Sequence, residues 1–202
     1  VSNNADIVVS CSQEVKELPG EYFIAGEGGP NYLINTGKYS VIINGTILLY
    51  EDNKCKNPIV AIHEFLHVIG FKHSSNESSI MYAVSDCSQQ ITKDIINNIS
   101  ELYKDPTLPD LTFNNVSASK QGRYVNFDVE ISNKGLADSP DSILSIYSDN
   151  DKIDSYSLGE LKIGTGKIIK VTNLKASFST KKLIFIIDES NSIPEIDKAN
   201  NR

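Results

Sequence analysis

The chain has 202 residues, with 26 acidic side chains against 19 lysines and arginines and a formal net charge of −7. Its 40% hydrophobic residues exclude a largely disordered chain, and no apolar stretch reaches the ~18 residues of a membrane-spanning helix. The acidic balance argues against nucleic acid as the main partner, because phosphate binding needs clustered basic side chains.

The first half of the chain mixes short strands with two helices. Apolar and β-branched residues predict strands at 6–9 and 39–50. The glycine-rich stretch 26–30 between them lacks the context of a phosphate-binding loop, so we interpret it as a turn. Apolar residues at helical spacing predict helices over 57–71 and 92–103.

The second half has no convincing helical pattern. After Pro106 and Pro109, alternating segments predict strands at 111–113, 124–131, 143–147, 167–171 and 183–187. Several short strands separated by turn signals are typical of an antiparallel sandwich. The sequence therefore predicts two domains, residues 1–105 and residues 106–202.

All three histidines lie close together, at positions 63, 67 and 73. A helix through this region places His63 and His67 one turn apart on the same face, so two imidazoles can reach one metal ion. Gly70 falls where that helix should end, because glycine adopts the left-handed conformation of a helix C-terminus at little cost. The sharp turn there would bring His73 round as a third ligand.

Three neutral imidazoles with an open fourth position are typical of a catalytic zinc site. Glu64 follows the first histidine, close enough to touch a metal-bound water without ligating the metal. Zinc lowers the pKa of its bound water to about 7, and a carboxylate beside it can take the proton and return it to a leaving amine. The pattern therefore predicts hydrolysis of a peptide bond with one catalytic zinc ion.

The spacing from His63 to His73 is H-E-x-x-H-x-x-G-x-x-H, and the chain resembles the metzincin metallopeptidases on this complete motif. Met81 follows the third histidine by eight positions and is similar to the family's Met-turn. Ser74 and the Met81–Tyr82 pair resemble the matrixin branch. The resemblance implies an α+β metzincin-type catalytic domain with Glu64 as general base for zinc-bound water.

Further similarity to matrixins extends over most of the first hundred residues. Residues 5–7 (Ala-Asp-Ile) resemble a core strand, and the strand that starts at Gly45 resembles the edge strand that pairs with substrate. The resemblance implies that Gly45, Thr46 and Ile47 bind substrate, and that Val84 lines the pocket for the residue after the scissile bond. A matrixin normally has two more strands and a long helix before the Ala-Asp-Ile strand, which implies a reduced sheet or a truncated chain here.

Three cysteines are too few for a disulfide framework and have no C-x-x-C spacing for zinc. By themselves they allow one disulfide with a free thiol, or three buried thiols. The metzincin resemblance implies that Cys55 and Cys87 both flank the zinc site and are bonded in an exported protein. Cys11 would then be unpaired.

The second half resembles the CARDB module, an Ig-like sandwich of prokaryotic surface proteins, at residues 109–112, 129–137 and 188–201. The resemblance implies adhesion or display through a cell-surface partner, and an extracellular or cell-surface location in a prokaryote. Acidic residues within 188–197 could offer calcium ligands, but a solvated loop is the favoured interpretation and calcium is unsupported.

Together these features predict a secreted or surface-anchored zinc endopeptidase acting on extended protein or peptide substrates. The alternative is a non-catalytic surface adhesion module with a structural zinc site. Glu64 argues against that alternative, because a module that only binds does not need this carboxylate.

Overall fold

The computed structural model describes residues 5–14, 16–19, 22–50 and 55–202. The chain divides into two compact units, the first with residues 1–34 and 42–104 and the second with residues 35–41 and 105–202. No helix in the described part of the chain is long and apolar enough to cross a membrane.

In the described part of the chain, five strands precede the first described helix: β1 (Ile7–Cys11), β2 (Lys16–Leu18), β3 (Tyr22–Ile24), β4 (Gly26–Asn35) and β5 (Ser40–Leu49). Three of them form a sheet in the order β1-β5-β4, while β2 and β3 pair as an antiparallel hairpin. Strands β1 and β5 are parallel, with Ile7 opposite Gly45. Among the described strands, β4 and β1 are thus the edges of this sheet.

The glycine-rich stretch 26–30 was predicted as a turn, and this prediction was wrong because it forms the start of β4. Its glycines allow a close approach between strand and helix. A Cβ at Gly28 would lie 2.3 Å from the carbonyl oxygen of Glu64, and one at Gly26 would lie 2.8 Å from Cγ of the same residue. Only glycine fits at such distances, so these residues bring β4 directly against the helix that carries Glu64.

The prediction that Gly45, Thr46 and Ile47 lie on a substrate-pairing edge was also wrong. They belong to β5, which has a hydrogen-bonded neighbour on each side. The N–H of Gly45 donates to the carbonyl of Asp6 at 2.9 Å, and a Cβ there would lie 2.5 Å from Val68. The backbone N–H and C=O groups of a central strand are already paired with its two neighbours, so an extended substrate cannot pair with this strand.

The described residues of the first unit also form two ten-residue helices, α1 (Ile59–Val68) and α2 (Lys93–Leu102). Gly70 has φ +98°, and the N–H of Phe71 donates to the carbonyl of Leu66 at 2.9 Å, which closes the end of α1 as predicted. The core of this unit consists of Ile59, Leu66, Ile80, Met81 and Ile95. Within the described residues, these elements form no clear α+β metzincin catalytic fold, which the resemblance had implied in a complete or reduced form.

The second unit is an antiparallel sandwich, as the sequence predicted. Its strands are β6 (Leu111–Gln121), β7 (Tyr124–Asn133), β8 (Ser139–Ser148), β9 (Asp151–Leu161), β10 (Gly166–Lys175) and β11 (Leu183–Ile187). They form two sheets, in the orders β10-β7-β6 and β11-β8-β9. Fully buried side chains of the inner strands, among them Val125, Val129, Leu144 and Ile146, fill the core between them.

The loop after β11 is organised around the buried carboxylate of Asp188. This carboxylate accepts hydrogen bonds from the N–H and hydroxyl of Ser192, at 3.1 and 2.8 Å, and from the N–H of Ile193 at 2.8 Å. Burial acts to raise the pKa of Asp188, but the hydrogen bonds from Ile193, Ser192 and Ser190 outweigh it, so the pKa lies below its ordinary value. The carboxylate is therefore a structural acceptor for its own loop.

We expect Asp188→Asn to lower the unfolding free energy at pH 7 by about 1–3 kcal/mol, because an NH₂ group would replace one of two oxygens that face donors. The folded-state pKa lies below the unfolded value of about 3.9, so the stabilisation is present above that pH and is lost as pH falls through the folded pKa. Urea unfolding of parent and variant between pH 7 and pH 3 measures this. The exposed Asp151→Asn is the control, and identical parent and Asp188→Asn curves at pH 7 would contradict the prediction.

Candidate metal centre

The three histidines converge on one point. His63 and His67 lie one turn apart on α1, and the turn at Gly70 brings His73 back towards them. One nitrogen from each ring lies within 4.8 Å of the other two. The structure thus brings together the three residues that the sequence predicted as metal ligands.

Backbone carbonyls orient two of the rings. Nδ1 of His63 lies 2.6 Å from the carbonyl oxygen of Ile80, and Nδ1 of His67 lies 2.7 Å from that of Phe71. A carbonyl oxygen only accepts, so each Nδ1 carries the proton. The lone pair of each ring is therefore on Nε2, the atom available to a metal, and the carbonyls act as outer-shell partners that fix the ligands.

The surroundings favour neutral imidazoles. Burial is the largest effect on the pKa of His63 and lowers it, which outweighs the opposing hydrogen bond to Ile80, and the rings of His67 and His73 lower the pKa further. Burial and His67 likewise lower the pKa of His73. Since metals bind the neutral form, these shifts favour metal binding at neutral pH.

The donor set fits a tetrahedral metal ion. Nε2 of His67 lies 3.1 Å from Nε2 of His73, a distance that suits either an N–H···N hydrogen bond between the two rings or a shared metal ion. Zinc with Zn–N distances of 2.0–2.1 Å and tetrahedral angles separates its ligand nitrogens by about 3.3 Å. Three histidines without a fourth protein donor among the described residues match an open coordination position.

Glu64 is buried on α1 next to these ligands, with 6% of its surface exposed. Burial raises the pKa of its carboxyl group, which outweighs the lowering by His67 and by the hydrogen bond from the N–H of Gly28. A carboxylate with a raised pKa is a better proton acceptor at neutral pH than an exposed one. This environment suits a general base.

Met81 lies in the core rather than in the coordination shell. Its side chain is 1% exposed and packs in the cluster that contains Leu66 and Ile95. The N–H of Ser74 donates to the carbonyl of Met81 at 2.7 Å, which ties this turn to the segment carrying the third histidine. Together with the carbonyl of Ile80, the turn thus supports two of the three ligands.

A cleft of about 690 Å³ contains the three histidines and Glu64, and residues 23–28, Leu18, Val60 and residues 83–85 also line it. Val84, predicted to bind substrate, lies in this cleft, whereas Gly45, Thr46 and Ile47 are not among its lining residues. Sequence reasoning missed residues 23–28. The alternating glycines at 26 and 28 were the available signal, because they mark a close backbone approach.

Cys55 and Cys87 form a disulfide with their Cα atoms 5.3 Å apart, the pair that the metzincin resemblance named. The bond joins the segment before α1 to the segment after Met81. It therefore encloses the whole metal centre in one covalent loop. Cys11 is an exposed free thiol.

Two family models match the chain in adjoining parts. The Matrixin model matches residues 21–104, and the CARDB model matches residues 108–202. No curated protein matches the chain.

Among solved structures, the chain is similar to the CARDB domain of a Pyrococcus furiosus protein in complex with di-metal ions, at 17% identity and a TM-score of 0.39. That match covers 46% of this chain and 82% of the other. A domain of a Methanosarcina acetivorans protein, named as a candidate cell-surface protein, matches at 18% identity and a TM-score of 0.40, over 46% and 85%. Residues 108–202 thus match the CARDB family, and the Matrixin match of residues 21–104 is the weaker of the two.

Proposed function

We propose that the first unit is a zinc-dependent endopeptidase of the matrixin type. The observation that carries this proposal is the convergence of three histidine nitrogens, with a buried carboxylate beside them, in one open cleft. The Matrixin match of residues 21–104 supports it. A purely structural zinc site would have a fourth protein ligand and would not need the cleft.

The three histidines and Glu64 then have definite roles. His63, His67 and His73 hold the metal through Nε2, and zinc bound there supplies a Lewis acid that polarises a peptide carbonyl and lowers the pKa of water. Glu64 takes the proton of the attacking water and returns it to the leaving amine. Gly28 steadies the carboxylate through its backbone N–H.

We further propose that substrate binds along the half-buried start of β4, at residues 26–28. This strand is an edge of its sheet and lines the cleft, so an extended peptide can add to it by main-chain hydrogen bonds. It takes the role that the sequence had assigned to Gly45, Thr46 and Ile47. Val84 lines the same cleft and would contact the residue after the scissile bond.

The sandwich would attach or target the enzyme at an extracellular or cell-surface site in a prokaryote. The CARDB match and the disulfide are compatible with that location, because disulfides persist in oxidising compartments. The CARDB match also favours a second candidate function, a non-catalytic adhesion module. The buried, base-like environment of Glu64 favours the enzyme.

A zinc and cleavage assay on the full chain tests this proposal. We expect about one zinc per chain by elemental analysis and cleavage of casein, an unstructured protein. Cleavage should stop with 1,10-phenanthroline and return when zinc is added back, because the chelator removes the ion that the histidines hold. A zinc-loaded chain that cleaves nothing in a broad peptide library would contradict the proposal and favour the adhesion module.

A further inference from the structure

The β2–β3 hairpin presents large apolar side chains to the cleft. Leu18 and Phe23 are each 47% exposed, and both line the cleft together with Ile24. Apolar side chains grouped at the mouth of a cleft leave water when a ligand covers them, which favours a ligand that is apolar at the same place.

A polar cluster at the base of the hairpin holds it against the sheet. Nζ of Lys16 donates to both carboxylate oxygens of Glu27, at 3.1 and 3.0 Å, and the hydroxyl of Tyr50 donates to the same carboxylate at 2.5 Å. Nζ of Lys16 also lies 4.7 Å from the centre of the Tyr50 ring. These contacts join β2 to β4 and to the residue that follows β5, beside the cleft.

The charge of Glu27 is already matched within this cluster. Its carboxylate accepts hydrogen bonds from the hydroxyl of Tyr50 and the ammonium of Lys16, which lower its pKa in that order, and the lysine already balances its charge. Glu27 therefore acts through the hairpin, as a positioning residue. The apolar side chains of the hairpin, which Glu27 helps to position, are therefore the groups beside the cleft that can discriminate between substrates.

We propose that the β2–β3 hairpin is a specificity element of the cleft, in which Leu18 and Phe23 select peptides with a large aliphatic or aromatic side chain at the position that reaches them. This inference rests on the proposed peptidase function. It adds a substrate class to that function, because a hydrophobic contact of this size discriminates by about tenfold or more between large and small side chains.

The test compares kcat/KM across quenched peptides in which one position at a time carries Phe, Leu or Ala. For the parent we expect a preference of at least about tenfold for Phe or Leu over Ala at one position. In the double variant Leu18→Ser, Phe23→Ser, the ratio of kcat/KM for Phe or Leu over Ala should fall close to one. The decrease should come from lower kcat/KM for the Phe and Leu peptides. Phe23→Leu, which keeps the site apolar, should retain it.

The matched control is the double variant Ile168→Ser, Phe178→Ser. It removes two exposed apolar side chains from the sandwich, where neither residue lines the cleft. Its preference should equal that of the parent. An unchanged preference in the Leu18→Ser, Phe23→Ser variant would overturn the proposal.

Glu27→Gln tests the positioning role. We expect KM for the Phe and Leu peptides to rise while kcat changes little, because the chemical groups are untouched and only the hairpin is loosened. The chain offers a close control, since Glu189 receives the same two kinds of donor, Lys152 and the hydroxyl of Tyr147, in the other unit. Glu189→Gln should leave both constants unchanged, and equal effects of the two variants would contradict the role of Glu27.

A binding assay separates this inference from the proposed function. Zinc-loaded Glu64→Gln chain is titrated with labelled Phe and Ala peptides, with and without the two hairpin substitutions, and followed by fluorescence anisotropy. A preference for the Phe peptide that needs the hairpin supports the inference even if the parent cleaves nothing. The parent could instead cleave peptides while its preference for Phe over Ala, in turnover and in binding, does not depend on the hairpin. That result would overturn the inference and leave the peptidase proposal standing. If the chain neither cleaves nor binds any peptide, both the inference and the peptidase proposal are overturned.

Discussion

Glu64→Gln should leave the chain loaded with zinc but unable to cleave peptides. Glutamine keeps the size and polarity of the side chain, and its carbonyl oxygen can still accept the hydrogen bond from Gly28. It cannot accept the proton of the attacking water. General acid–base catalysis contributes about 10²–10⁴-fold, so casein cleavage should fall by at least that factor while zinc content stays near one per chain.

His73→Ala is the informative contrast to this variant. It removes a ligand and leaves Nε2 of His67 without the partner that lies 3.1 Å away, so zinc binding itself should weaken. We expect one variant to be zinc-loaded and inactive and the other to be zinc-poor and inactive. Zinc stoichiometry after dialysis against a weak chelator, measured beside casein cleavage, separates the two.

The mechanism assigned to Glu64 is wrong if Glu64→Gln cleaves casein as fast as the parent. Loss of zinc from Glu64→Gln would instead mean that the carboxylate ligates the metal or holds its ligands in place. Glu101→Gln is the matched control, because Glu101 is exposed near the end of α2 and does not line the cleft. It should keep both zinc and activity.

The metal ligands could be predicted from the sequence because the spacing that creates them is local. One helix and one glycine turn place all three histidines, and both follow from residues 63–73 alone. The carbonyls that orient the rings were not predictable in the same way. The carbonyl of Ile80 reaches His63 only through the packing of the turn around Met81 into the core.

The strands that sequence reasoning missed are those whose residues do not alternate. Strand β9 is an edge strand in which only Leu158 and Leu161 are buried, so its polar residues gave no strand pattern. Strand β4 begins with glycines whose role depends on a helix more than thirty residues later in the chain. For the same reason the contact between Lys16, Glu27 and Tyr50 was not predictable, because three separate segments form it.

The misplaced substrate strand has a similar cause. The segment 39–50 has the strongest strand pattern of the first half. A strong pattern of apolar residues indicates that a strand is buried and does not indicate its position in the sheet. Apolar residues on both faces favour a central strand, as found for β5. The edge strand β4 instead begins with three glycines and Glu27 among its first four residues, which is compatible with a surface that a substrate can approach.

Removal of the Cys55–Cys87 disulfide should be the largest single loss of stability in the first unit. The cysteines are 32 residues apart in sequence, and the loop they close contains α1, His73 and the turn at Met81. The chain-entropy description assigns such a loop about 3–4 kcal/mol, because the bond restricts the unfolded chain. We expect the double variant Cys55→Ser, Cys87→Ser to lose about that much unfolding free energy.

Urea unfolding with a chelator present measures this loss without the contribution of the metal, and Cys11→Ser is the control because its thiol is exposed and free. With excess zinc, part of the loss should be recovered, since an ion that binds only the folded state stabilises it by mass action. The loop and the metal both act on residues 63–81, so the disulfide variant should also bind zinc more weakly than the parent. Equal unfolding midpoints for the parent and the double variant, with and without chelator, would mean that packing alone holds the metal centre together.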